Sequence, residues 1–273
     1  MSNQRLPPEI LDYILDALHD EPKTLRDCCV VTKSWIPRAR KHLFAEVKFS
    51  SPKDLKSWKE TFPDPSTSPA HYVHTLSVKF PQVITVKDAE EGGWIRTFSR
   101  VVCFNVDSRM PDLNDLGISL SPFRGFSPIL RSLRVFSILL PYSQILGLVR
   151  SLPLLEDLML VLYGSIDDDD GDDDDSDDGD DPDTNGLPTA VSPPAPSPVF
   201  TGALGIVLLR GMGPIARRLL DLPNGLHFRE VKVFWLKEDD LQWINALVVE
   251  CCDTLESFDV TFHMFGAIIW FMG

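Results

Sequence analysis

The chain has 273 residues, is 44% hydrophobic and carries a formal net charge of −14. That is enough apolar material for one large or two small domains. Thirteen aspartates between Asp167 and Asp183 account for all but one unit of the charge, so the rest is near neutral and lacks the clustered basic patch that nucleic acid requires.

The densest basic group, Arg38, Arg40 and Lys41, reads as a solvated helix face. The five cysteines (Cys28, Cys29, Cys103, Cys251, Cys252) contain no Cys-x-x-Cys spacing. Met1–Arg5 runs directly into Leu6-Pro7-Pro8-Glu9 with no apolar leader. Reduced thiols in a cytoplasmic or nuclear chain are therefore expected. The apolar C-terminal run that ends at Ala267–Phe271 falls far short of the ~20 residues of a membrane span. It reads as a final core strand or as the end of a truncated gene, and no membrane partner is expected.

Pro7 and Pro8 open the first predicted helix, since proline is tolerated in a first turn whose N–H groups lack partners. Ile10, Leu11, Ile14, Leu15 and Leu18 follow at helical spacing as one apolar stripe. Glu9 and Asp12 lie where the helix dipole favours negative charge. His19-Asp20-Glu21-Pro22 breaks the helix. A second stretch from about Lys23 to Ser34 is apolar over most of its circumference, with Leu25, Cys28, Cys29, Val30 and Val31. Trp35 comes next, and Ala39, Leu43 and Phe44 continue an apolar face on a third short helix. Three short helices of about 40 residues bury a poor core alone, so another surface should cover the excess.

Leu6-Pro7-Pro8-Glu9-Ile10-Leu11, Ile14-Leu15, Leu25, Cys28-Cys29-Val30 and Lys33-Ser34-Trp35, closed by Leu43-Phe44, fall in the order and spacing of an F-box. The segment resembles one, and the chain as a whole is similar to fungal F-box proteins. The stretch His19–Thr24 departs from the short Leu-Pro turn of many members. The resemblance implies a three-helix unit over residues 1–49 that packs its apolar surface on a Skp-type adaptor, and through it on a cullin–RING ubiquitin ligase. Carried over residue by residue, the adaptor contacts are Leu6, Pro7, Ile10, Leu11, Ile14 and Leu15 on the first helix. Leu25, Cys29, Val30 and Trp35 follow on the second, some of them holding the unit together internally. An ordinary helical hairpin packing on its own domain is the alternative.

From Phe44 onward a hexamer of the form apolar-x-x-apolar-x-apolar recurs. It starts at Phe44, Val73, Phe98, Leu130, Leu155, Leu204, Phe228 and Leu255, at spacings of 29, 25, 32, 25, 49, 24 and 27. Most lie in or near the 20–29 range of leucine-rich repeats. Helical patterns fall between strands at Tyr142–Leu152 and Asp239–Cys252. The expected fold class is α/β: the three-helix F-box, then an irregular leucine-rich-repeat-like strand–helix solenoid in two parts, residues 50–163 and 200–273. The repeat's Asn/Cys slot is filled instead by Pro81, Val106, Ile138, Tyr163, Met212, Leu236 and His263. A compact α/β or α+β domain is the competing architecture. The Asp- and Pro-rich segment 164–199 lacks apolar residues to offset its ordering entropy and reads as a disordered insertion, a spacer or a lure for basic partners.

No enzyme motif accompanies these elements: there is no G-x-S-x-G, Walker loop, G-x-G-x-x-G or H-E-x-x-H. Gly211-Met212-Gly213-Pro214 reads as a strand-to-helix turn. An EF-hand fails, because Gly171 at position six puts Ile166 at one, and Gly179 at six puts Asn185 at twelve. His71 and His74 have no completing ligand nearby. The expectation is a non-enzymatic chain without cofactor or metal. It would be the substrate-recognition subunit of an SCF-type ligase, binding the adaptor and an unidentified target protein, but no nucleic acid. Alternatives are an adaptor-binding protein without a degradation target, a truncated non-functional copy, and a small α/β enzyme.

Overall fold

The computed structural model describes residues 7–64, 66–79, 94–108, 120, 123–137, 140–162, 200–208, 213–222, 225–236, 240–264 and 267–270. Leu6, the acidic segment 164–199, and Gly211 and Met212 lie outside them. Helices α1 (Pro8–Ala17), α2 (Pro22–Val31) and α3 (Ile36–Leu43) come first, each with a proline in its first two positions. There the ring removes only an N–H that had no intrahelical partner. A 3-10 turn, Lys33–Trp35, joins α2 to α3.

Eight parallel strands follow, each paired with the next in chain order: β1 (Glu46–Phe49), β2 (Thr75–Lys79), β3 (Cys103–Ser108), β4 (Ser132–Ser137), β5 (Asp157–Leu162), β6 (Ala203–Leu208), β7 (Glu230–Leu236) and β8 (Ser257–Met264). A ninth, β9 (Ala267–Trp270), turns back antiparallel on β8. It departs from the parallel order of the other eight strands. Helices α4 (Pro52–Thr61), α5 (Tyr142–Arg150), α6 (Gly213–Leu220) and α7 (Leu241–Glu250) alternate with the strands. The expected α/β class with strand–helix alternation is thus present, and two of these helices fall within two residues of their predicted ends.

The parallel register fixes which side chains turn inward. Val47, Leu76, Phe104, Leu133, Leu158, Leu204 and Val231 form one buried column, and Phe49, Val78, Val106, Val135, Leu160, Ile206 and Val233 form a second two residues on. Helix residues such as Ile145, Val149, Ile215, Leu219 and Leu247 close over them. The hexamers starting at Phe44, Val73, Leu130, Leu155, Phe228 and Leu255 match this register. Two do not. The third unit starts at Val101 rather than Phe98, and the sixth at Thr201 rather than Leu204. A shift of three, being odd, exchanges the faces of both strands. Phe98 and Val101 are both fully buried, so the turn before β3 imitates a strand pattern. On β6 the run Gly205–Leu208 is apolar or small on both faces, which removes the period-2 signal.

The strands are tied together at their starts. His74 N–H donates to the Ala45 carbonyl at 2.9 Å, Val102 to His74 at 2.8 Å, Arg131 to Val102 at 2.9 Å and Glu156 to Arg131 at 2.8 Å. Gly202 then donates to Glu156 at 3.3 Å, Arg229 to Gly202 at 2.9 Å and Glu256 to Arg229 at 2.7 Å. Most of these carbonyls also accept the next N–H of the following strand. At the β5–β6 junction, Asp157 Oδ1 instead accepts from Ala203 N at 2.8 Å. A Cβ on Gly202 would crowd that same oxygen, so a larger residue there would make the Asp157 carboxylate move. Ser127 adds a buried cross-link, its hydroxyl donating to the Val101 carbonyl at 2.7 Å.

The β1 end of the core is plugged by aromatics. Phe49 meets Trp58, Trp94 and Phe98 edge-on at 5.8, 5.9 and 6.1 Å between ring centroids. Helix α4 presents Trp58 from a capping box in which Asp54 accepts from Ser51 N at 2.9 Å and the Ser51 hydroxyl accepts from Asp54 N at 3.4 Å. Leu133→Ala or Leu158→Ala, in the middle of the buried columns, should lower unfolding free energy by about 2–5 kcal/mol in urea titrations. Phe258→Ala, on β8 and 38% exposed, should cost less than either.

Candidate interaction surfaces

The three N-terminal helices keep a core of their own, separate from that of the sheet. It consists of Leu15, Leu25, Cys28 and Ala39, with Leu18, Cys29, Trp35 and Leu43 packed around it. Four buried residues, counted among those described, make a very small core. The stripe read on α1 is in fact two faces. Leu15 and Leu18 point into the unit, with Leu11 half-buried. Ile10, Tyr13 and Ile14 stay outside, Tyr13 being 76% exposed.

Among the predicted adaptor contacts, Pro7, Ile10, Ile14 and Val30 are exposed and Leu11, Cys29 and Trp35 are half-buried. Leu15 and Leu25 are interior and hold the helices together. Leu6 lies outside the described residues. Tyr13 and Val31, which the predicted set leaves out, are exposed beside Ile10, Ile14 and Val30. Trp35 Nε1 is buried and meets no acceptor among the described residues, an arrangement that costs about 1–3 kcal/mol where it persists.

A polar clamp ties α1 to α3. Arg38 grips the Asp16 carboxylate with two N–H groups, the Nε contact at 2.6 Å, and His42 Nε2 donates to the same carboxylate at 2.7 Å. The Arg38 hydrogen bonds first, and His42 second, hold the Asp16 carboxyl well below the usual carboxylate range. No local sequence pattern marks this contact, because its partners lie 22 and 26 residues from Asp16.

The second surface is the open face of the sheet. Residues alternating with the buried columns form two rows across the strands. One runs Lys48, Ser77, Asn105, Arg134, Met159, Gly205, Lys232 and Asp259. The other runs Lys79, Asp107, Phe136, Val161, Val207, Phe234 and Thr261. The rows change character along the sheet. Over β1–β4 they are polar and basic except for Phe136, around a groove of about 220 Å³. Over β5–β6 they are apolar, with Met159 lying so close over Gly205 that a Cβ there would meet its sulfur at 2.3 Å. On β7 the charge of Lys232 is paired with Glu230 at 2.5 Å.

The residues singled out for metal or redox chemistry have structural roles. His71 Nδ1 lies 2.9 Å from the Ser68 carbonyl, and its ring lies on Tyr72. Burial pushes the Cys29 and Cys251 thiols upward, so they act as small hydrophobes. Among the described residues no group of three or more metal-ligating side chains comes together, and no helix is long and apolar enough to cross a membrane. Comparison of the chain with family models, curated proteins and solved structures finds no match.

The clamp has a defined pH dependence. A carboxyl depressed in the folded state stabilises above its unfolded value near 3.8 and stops doing so as pH falls through the folded value. Asp16→Asn should therefore speed hydrogen exchange of the α1 amides a few-fold at neutral pH. The difference from the native chain should shrink as the pH is taken below 3.8.

Proposed function

We propose that this chain is a substrate-recognition subunit of an SCF-type ubiquitin ligase. Its three N-terminal helices dock a Skp-type adaptor as an F-box does. Its strand–helix units act as degenerate leucine-rich-like repeats that hold a target protein, and catalysis belongs to other subunits. One observation carries the reading. A unit with four buried residues leaves Val30 84%, Tyr13 76%, Val31 65%, Ile10 48% and Ile14 42% exposed. Exposed apolar side chains on two short helices support a protein–protein contact, and three of the five, Ile10, Ile14 and Val30, are positions that the F-box resemblance assigns to the adaptor. Separation of the helical core from the sheet core supports the same division of labour, one unit for the adaptor and one for the target. The outer face of the sheet over β1–β4, where Lys48, Lys79 and Arg134 are exposed, offers the second partner a surface.

The test is co-purification with a Skp-type adaptor. The native chain should be captured one to one. Ile10→Asp/Ile14→Asp/Val30→Asp should weaken capture by at least about thirtyfold, as loss of interface anchors does. Because these side chains are exposed, the circular dichroism spectrum should be unchanged. A well-folded native chain that captures no adaptor would overturn the reading.

A further inference from the structure

The basic end of the open face is unlike the rest of the sheet. Lys48, Lys79 and Arg134 are exposed around the groove, and among the described residues no carboxylate is paired with any of them. Asp107 is the one carboxylate among the groove's described lining residues. Between Lys48 and Arg134 in the same row lie two oriented neutral groups. Asn105 Nδ2 donates to the Ser77 hydroxyl at 3.0 Å, which leaves the Ser77 O–H proton to give to a ligand oxygen. Phe136, half-buried, forms the wall where the groove meets the apolar part of the face.

We propose that this groove takes an extended acidic peptide segment of the target, laid across β1–β4, with one carboxylate on Lys48, a second on Arg134 and an apolar residue against Phe136. The proposal rests on the ligase reading for the identity of the ligand as a target, and on charge and spacing for its chemistry. Lys48 and Arg134 are three strands apart in one row, about 14 Å at ~4.8 Å per strand. In an extended peptide, side chains four residues apart share a face and lie about 13 Å apart at ~3.3 Å per residue. Two acidic residues at that separation therefore meet the two cations together. The Ser77 hydroxyl faces the backbone between them, and Lys79 supplies further positive potential beside the row. Like charges left unpaired on one patch repel one another, and an anionic ligand relieves that repulsion.

The experiment titrates into the full chain a short labelled Ser/Gly peptide carrying two glutamates four residues apart and a phenylalanine two residues after the second, so that all three side chains share a face. A twin has glutamine in place of both glutamates. The glutamate probe should bind at least about tenfold more tightly than its twin, and its binding should weaken as salt rises. Lys48→Glu/Arg134→Glu should abolish the preference while leaving the unfolding midpoint and adaptor capture unchanged. Equal binding of the two probes, or a preference untouched by the double charge reversal, would overturn the proposal. So would an oligonucleotide that displaces the probe more tightly than the peptide binds. Binding seen only after the thirteen aspartates between Asp167 and Asp183 are replaced by serine would make the chain's own segment the occupant and would also overturn it. A chain that binds the glutamate probe through Lys48 and Arg134 yet captures no adaptor would sink the ligase reading and leave the groove's chemistry standing.

Discussion

The structure depends on one repeated backbone contact: the carbonyl just before each parallel strand accepts N–H groups from the start of the next. Ala45, His74, Val102, Arg131, Glu156, Gly202 and Arg229 supply these carbonyls in turn. A strand locked at its start cannot slip by one residue, and a slip of one would turn every inward side chain to solvent. The two apolar columns, the aromatic plug around Phe49 and the two rows of the open face all follow from that lock. At the β5–β6 junction the lock is kept by other means, with the Asp157 carboxylate taking over as acceptor for Ala203 and Gly202 making space for it.

Sequence periodicity finds these strands where one face is polar and fails where both are apolar. Around Val73-His74-Thr75-Leu76-Ser77-Val78 the alternation is clear, and the frame read from it is the one observed. Around Phe98 and Val101 two buried residues precede the strand, and the earlier of them captured the pattern. At Gly205–Leu208 the face under Met159 is as apolar as the core, so nothing in the local sequence separates inside from outside. The helical unit shows a related limit. Ile10, Leu11, Ile14 and Leu15 are legible as an amphipathic stripe. Its division into an inner edge at Leu15 and an outer edge at Ile10 and Ile14 depends on where α2 and α3 pack. The Asp16 clamp lay beyond reach altogether, since its partners come together only after the three helices do.

The two surfaces make opposite demands on their elements. The open face of the sheet rests on a large core, so its side chains can carry unpaired charge without threatening the fold. The helical unit has almost no interior to spare. What would have been its core side chains are spent on the outside, and a charged clamp between α1 and α3 does part of the work that apolar packing does elsewhere. This difference fits a molecule with one contact formed by burying shared hydrophobic surface and another formed by charge and shape.

If a partner does cover the outer face of α1–α3 as proposed, the small core of that unit, four buried residues among those described, would couple its folding to that occupancy. Anything that binds only the assembled helices adds its binding free energy to their stability. The fraction of molecules with an ordered N-terminal unit would then follow the concentration of a partner that covers Ile10, Ile14 and Val30. Partner abundance, rather than the strength of any contact inside the chain, would govern how long an unaccompanied copy keeps that unit closed to proteases and chaperones.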